Sequence, residues 1–110
     1  MELEYDHDKD ARNLAKHGVS LAEASRLAWD TLLAWEDRRK HYGEPRMAGL
    51  ALMNDRLYSV VYVERGARRR IISLRKANRR EVRRYLIITK PPQPVRYLSA
   101  SVVIASEARH

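Results

Sequence analysis

The chain has no cysteine, which removes disulfides, thiolate zinc sites and cysteine nucleophiles from consideration. It has no apolar run approaching the roughly 20 residues of a membrane helix, and its first ten residues, MELEYDHDKD, are acidic and lack the apolar centre of a signal peptide. A cytoplasmic setting with no membrane association is therefore expected. There is no glycine-rich phosphate loop, no Ser–His–Asp arrangement, no internal repeat and no low-complexity segment. Proline is scarce, and three of the four residues fall within positions 91–94. Above all, one stretch is poor in acid. Residues 64–85, ERGARRRIISLRKANRREVRRY, hold ten of the 22 Lys and Arg residues against two acids, so their net charge equals the formal +8 of the whole chain. Such a concentrated positive field recruits polyanions, RNA and DNA foremost. Ile71, Ile72 and Leu74 inside the run mark it as folded, so its guanidinium groups are held in place and not carried on a loose tail.

What is present points to one modest globular domain. The chain is 110 residues long, 45% hydrophobic and 33% charged, a balance that supports a single core. Residues 1–5 read as a possible short strand. Asp6, Asp8 and Asp10 lead into a helix over about 9–17 with Ala11, Leu14 and Ala15 facing inward. Gly18 closes it in a left-handed conformation. Ser20 with Glu23 reads as a capping box opening a second helix to about residue 29, with Leu21, Ala24, Leu27 and Ala28 inward.

From residue 31 the apolar period turns strand-like. Strands are expected over 31–37, 46–53, 57–64 and 68–76, with turns at Asn54–Asp55 and Gly66–Ala67. Asn78 caps a last helix, with Glu81 at the capping-box position and Val82, Tyr85 and Leu86 inward. The prolines from Pro91 bar its continuation. The expected fold is α+β: two N-terminal helices and one C-terminal helix packed on an antiparallel sheet of about four strands. Residues 1–90 form the domain, and 91–110 are an extension that could be a further strand, a docked arm or a frayed tail.

Laid out in this way, the chain resembles the BrnT family of toxins from bacterial type II toxin–antitoxin pairs. The resemblance runs from Tyr5-Asp6 through Asn13-Leu14-Ala15-Lys16-His17-Gly18-Val19-Ser20 and Glu23-Ala24 to Gly43-Glu44-Pro45-Arg46. It continues at Glu64-Arg65-Gly66, is strongest over Arg70-Ile71-Ile72-Ser73-Leu74-Arg75-Lys76-Ala77, and closes on Arg79-Arg80-Glu81 and Tyr85. It implies a RelE-like fold and a small ribonuclease that cleaves RNA without a metal or other cofactor and slows translation. It also implies neutralisation by a BrnA-like antitoxin, whose complex with the toxin would bind operator DNA through the antitoxin.

Metal-independent cleavage needs a base for the 2′-hydroxyl proton, cations for the phosphorane and an acid for the leaving oxygen. Arginine suits the second role because its planar fork pairs bidentately with phosphate. Alternation puts Ile71, Ser73 and Arg75 on one face of their strand and Arg70, Ile72, Leu74 and Lys76 on the other. Ile72 with Leu74 favours the second as core, which leaves Ser73 and Arg75 in a groove or outward. Arg46, Arg65 and Arg75 are the candidate catalytic cations, spread along a groove; as alternatives they are solvated strand-end charges. His17 is a candidate acid or base, or a helix-end residue complementing the dipole beside Gly18. Glu44 and His41 share a loop from which either could act as base.

Lys16, Arg70, Ser73, Lys76, Arg79 and Arg80 are candidate RNA contacts. Tyr85 fits the core better than catalysis, and His7 and His110 have nothing nearby to recommend them. No metal site is expected, since Asp6, Asp8 and Asp10 beside His7 are explained by the helix dipole. The basic stretch alone would equally suit a non-catalytic nucleic-acid-binding module, or a surface for an acidic protein.

Overall fold

Two short turns set the centre of the molecule. Asn54 and Asp55 both adopt positive φ, 51° and 62°, the pair of left-handed residues that a two-residue hairpin requires. They join β3 (Arg46–Met53) to β4 (Arg56–Arg65). Gly66, with φ 60°, turns β4 into β5 (Arg68–Lys76). In the computed structural model, which describes residues 1–39 and 43–90, this meander is flanked by β1 (Glu2–Glu4) and β2 (Ala28–Asp37). The sheet therefore has five strands in the order β1-β5-β4-β3-β2.

The fold is α+β, with differences from the expected count and arrangement. Residues 2–4 do form a strand, and it pairs parallel to β5, so the sheet is mixed. Glu2 and Glu4 lie in register with Arg68 and Arg70, and the carboxylates reach those guanidiniums at 3.2 and 2.9 Å. Opposite charges thus face one another across the ladder, which favours this pairing modestly. The second helix is a short 3-10 helix (Leu21–Arg26). Ser20 caps it by accepting from the Ala22 N–H and not through a capping box, while Glu23 reaches Arg26. Trp29 belongs to β2, which begins three residues earlier than its alternation indicates. The register shifts between Ala28 and Leu33, and Thr31 fills the gap by taking the Leu52 N–H on its hydroxyl at 3.0 Å.

The helices lie on opposite faces of the sheet. The first face carries the 3-10 helix, whose Leu21, Ala24 and Leu27 pack on Ala51, Val60, Tyr62, Ile71 and Leu74. The second carries α2 (Arg79–Thr89), whose Tyr85, Val82 and Leu86 pack on Leu50, Leu57, Leu33 and Leu52. The Tyr85 hydroxyl donates to the Thr31 carbonyl at 2.6 Å, which places Tyr85 in the core. α1 (His7–His17) turns its Ala11, Leu14 and Ala15 to solvent, contrary to the apolar reading of that helix. It is held instead by polar groups. Asn13 is buried and its amide donates to the carbonyls of Val19 and Leu74 while accepting the Leu74 N–H. Asp10 accepts from the Ser20 hydroxyl and the Leu21 N–H. β1 covers β5 only at residues 68–70, so Asn13 satisfies the strand edge beyond it.

A bulge corrects the facing of β5. Val61 pairs with Ser73 while Tyr62 pairs with Ile71, so Ile72 is an extra residue. Ile71 and Leu74 thereby share the first face, and Arg70 joins Ser73 and Arg75 on the second. Residues 91–110 and His41, with the readings attached to them, lie outside the described residues.

Candidate nucleic-acid interface

α2 covers only part of the second face of the sheet. Beside it, Ala48, Ser59, Val61 and Ser73 are small residues on three adjacent strands, and they floor a hollow of about 570 Å³. Trp35 and the segment Glu36–Arg39 wall one side, Arg75 and Glu81 the other.

Each wall carries an arginine fixed by a carboxylate. Arg75 grips Glu81 bidentately, at 2.8 and 2.9 Å. Arg39 does the same with Asp37, at 2.9 and 2.8 Å. Asp37 also accepts the Arg39 backbone N–H, and its side chain is 3% exposed. The Glu81 side chain is 21% exposed and so remains reachable from the groove.

Glu81 arrives there through the local sequence. Asn78 accepts the Glu81 N–H and Glu81 accepts the Asn78 N–H, a capping box that points the carboxylate back toward β5. Burial alone would raise the Glu81 pKa. The hydrogen bond from Arg75, that from the Asn78 backbone and the charges of Arg75 and Arg80 outweigh it, so the pKa lies below its usual 4.5. The hydrogen bond to Glu81 raises that of Arg75. Both groups are charged at neutral pH. Arg39 and Arg75 feel one another's charge across the groove, each partly offset by the carboxylate it grips. Trp35 carries the Arg84 guanidinium 4.3 Å from its ring centre, which extends the positive rim onto α2.

The sequence candidates fall into several places. Ser73 and Arg75 line the groove. Arg46, two residues from Ala48, and Arg65, four from Val61, are on the same face by alternation but do not line it. Arg65 lies at the β4–β5 turn and pairs with Glu44 at 2.7 Å in an exposed ion pair. Arg70 is engaged by Glu4. Arg79 and Arg80 are exposed on the first turn of α2, and Lys16 and Lys76 are exposed elsewhere. His17 ends α1; burial, then the charges of Lys16 and Arg75, lower its pKa below the usual 6.5.

Trp35, Asp37, Arg39 and Glu81 were absent from the sequence candidates. Glu81 carried a signal, since a capping-box carboxylate so close to Arg75 in sequence is free to serve both. Asp37 and Arg39 gave none. Among the described residues no three His, Asp or Glu side chains gather as a metal site, and no helix is long and apolar enough to cross a membrane.

Residues 5–81 match the model of a family described as ribonuclease toxin, BrnT, of type II toxin–antitoxin system. No curated protein matches the chain.

Proposed function

The chain belongs to the BrnT family of ribonuclease toxins of type II toxin–antitoxin systems, matched over well over half of its length, and on that premise we propose that RNA is cut in the groove between Trp35 and Arg75 without a metal. The observation that supports this reading is the pair of guanidiniums, Arg39 and Arg75, each paired bidentately with its own carboxylate on opposite walls. Arg75, which donates two hydrogen bonds to Glu81, is positioned before RNA arrives, so little reorganisation is needed at that wall when the phosphorane charge develops. Arg39, its side chain 78% exposed, closes on the phosphate from the other wall.

In this mechanism the RNA 2′-oxygen attacks the adjacent phosphorus and the P–O5′ bond breaks, leaving a 2′,3′-cyclic phosphate and a 5′-hydroxyl. Arg39 and Arg75 bear the phosphorane oxygens, and the Ser73 hydroxyl donates to the phosphate from the floor. Glu81 takes the 2′-hydroxyl proton; its lowered pKa makes it a weak base that is always ionised at neutral pH. The departing O5′ takes a proton from water. Trp35 walls the groove with the Arg84 guanidinium over its ring, and a base of a single strand can stack at that edge. Cleavage of this kind slows translation. A BrnA-like antitoxin encoded beside the toxin neutralises it, and the complex binds operator DNA through the antitoxin.

Purified protein incubated with a defined single-stranded RNA in EDTA is the test. We expect cyclic-phosphate ends from wild type and a rate lower by about 10²–10³ in Arg75→Ala, the usual loss for one donor to a developing oxyanion. Cleavage that stops in EDTA would remove the metal-free chemistry. Equal rates in the variant would remove the groove. Intact RNA with salt-sensitive binding would make the protein a binding module.

A further inference from the structure

The outer side of α2 combines charges with apolar surface in a way the ribonuclease reading leaves unused. Ile87 is 68% exposed and Ile88 51%, although both end a helix whose inner side is well packed. Arg83 and Arg84 precede them by one turn, also exposed. At the spacing of a helix these four residues form one continuous stripe. An RNA strand would satisfy the arginines and leave the isoleucines in water. A protein segment with carboxylates and apolar residues at the same spacing satisfies both.

We propose that this stripe is the docking surface for an acidic, amphipathic segment of the antitoxin, its apolar side chains on Ile87 and Ile88 and its carboxylates on Arg83 and Arg84. The proposal rests on the toxin–antitoxin reading above. Charge argues against a second copy of the chain or its own residues 91–110 as the occupant. A second copy brings a net +8 against a basic face, and residues 91–110 bring Arg96 and Arg109 against one acid, Glu107. The position also accounts for inhibition. Arg84 stacks on Trp35, and Trp35 walls the groove, so a segment lying on the stripe sits on the groove's rim and closes the approach of RNA.

The experiment compares wild type with the double variant Ile87→Asp, Ile88→Asp, and with Arg83→Glu, for binding of the purified small protein encoded beside this chain. RNA cleavage and thermal melting are measured on the same samples. All three positions are exposed, so melting and cleavage are expected to stay at wild-type levels. Binding is expected to weaken by about 100-fold or more in the isoleucine variant and about tenfold in Arg83→Glu, with both variants cleaving RNA in the partner's presence. Wild-type affinity in the isoleucine variant would overturn the docking surface alone. Failure of the wild-type protein to bind would overturn the toxin–antitoxin reading and the docking with it. Loss of RNA binding with normal partner binding would assign the stripe to RNA.

Discussion

At the scale of the residue, Glu81 does two jobs with one carboxylate: it closes the N-terminus of α2 and it fixes Arg75. The first was legible in the sequence, because Asn-x-x-Glu before an apolar stripe is a helix start whatever surrounds it. The second depended on β5 ending just before the cap, so that Arg75 points at the helix it precedes. The pH dependence of cleavage separates Glu81 from His17 as base. A base must be deprotonated, so the rate falls as pH drops through its pKa. With Glu81 as base, the acid limb of the kcat/KM profile is expected below pH 4.5, since its pKa is lowered from that value. An acid limb above pH 4.5 but below 6.5, the usual value from which that of His17 is lowered, would hand the role to His17. The same shift affects stability. A depressed carboxylate stabilises the fold above its unfolded pKa, and that contribution is lost as pH falls through the folded one.

At the scale of the element, α1 is the instructive case. Its Ala11, Leu14 and Ala15 resemble an inward stripe, yet the helix is anchored by Asn13 and Asp10. An apolar periodicity over three turns cannot reveal that a strand edge nearby needs a donor and an acceptor. Asn13 supplies both to Leu74. Replacing Asn13 by Ala leaves the buried N–H and C=O of Leu74 without a partner, and is expected to lower unfolding free energy by about 2–4 kcal/mol. Urea denaturation checks this, and a change under about 0.5 kcal/mol would mean that water replaces the amide. The strands β3 and β5 match their sequence-based bounds because positive-φ turns punctuate them. The bulge at Ile72 was invisible, because a run of two isoleucines supports either register equally well.

At the scale of the whole molecule, the surplus charge is not one uniform patch. Carboxylates from β1, β4 and the 43–44 turn engage Arg68, Arg70, Arg69 and Arg65 away from the groove, while Glu81 and Asp37 hold Arg75 and Arg39 at its walls. RNA binding is therefore expected to depend on salt less steeply than ten basic residues would give. Each phosphate contact on a single strand contributes about −0.7 to the slope of log K against log salt. A groove contacting about three to four phosphates predicts a slope near −2 to −3, measured by titration across ionic strengths. A slope near −7 would show that the whole basic stretch engages RNA.

The sequence by itself determined the basic field, the turns, the helix caps and the alternating strands, because these depend on neighbours within a few residues. Tertiary structure alone decided that the helices take opposite faces, that β1 joins β5 in parallel, and that Arg39 and Asp37 stand across from Arg75 and Glu81. Those arrangements depend on contacts between residues dozens of positions apart. Many partners at that distance satisfy the same local pattern, and only packing, charge pairing and the filling of hydrogen bonds select among them.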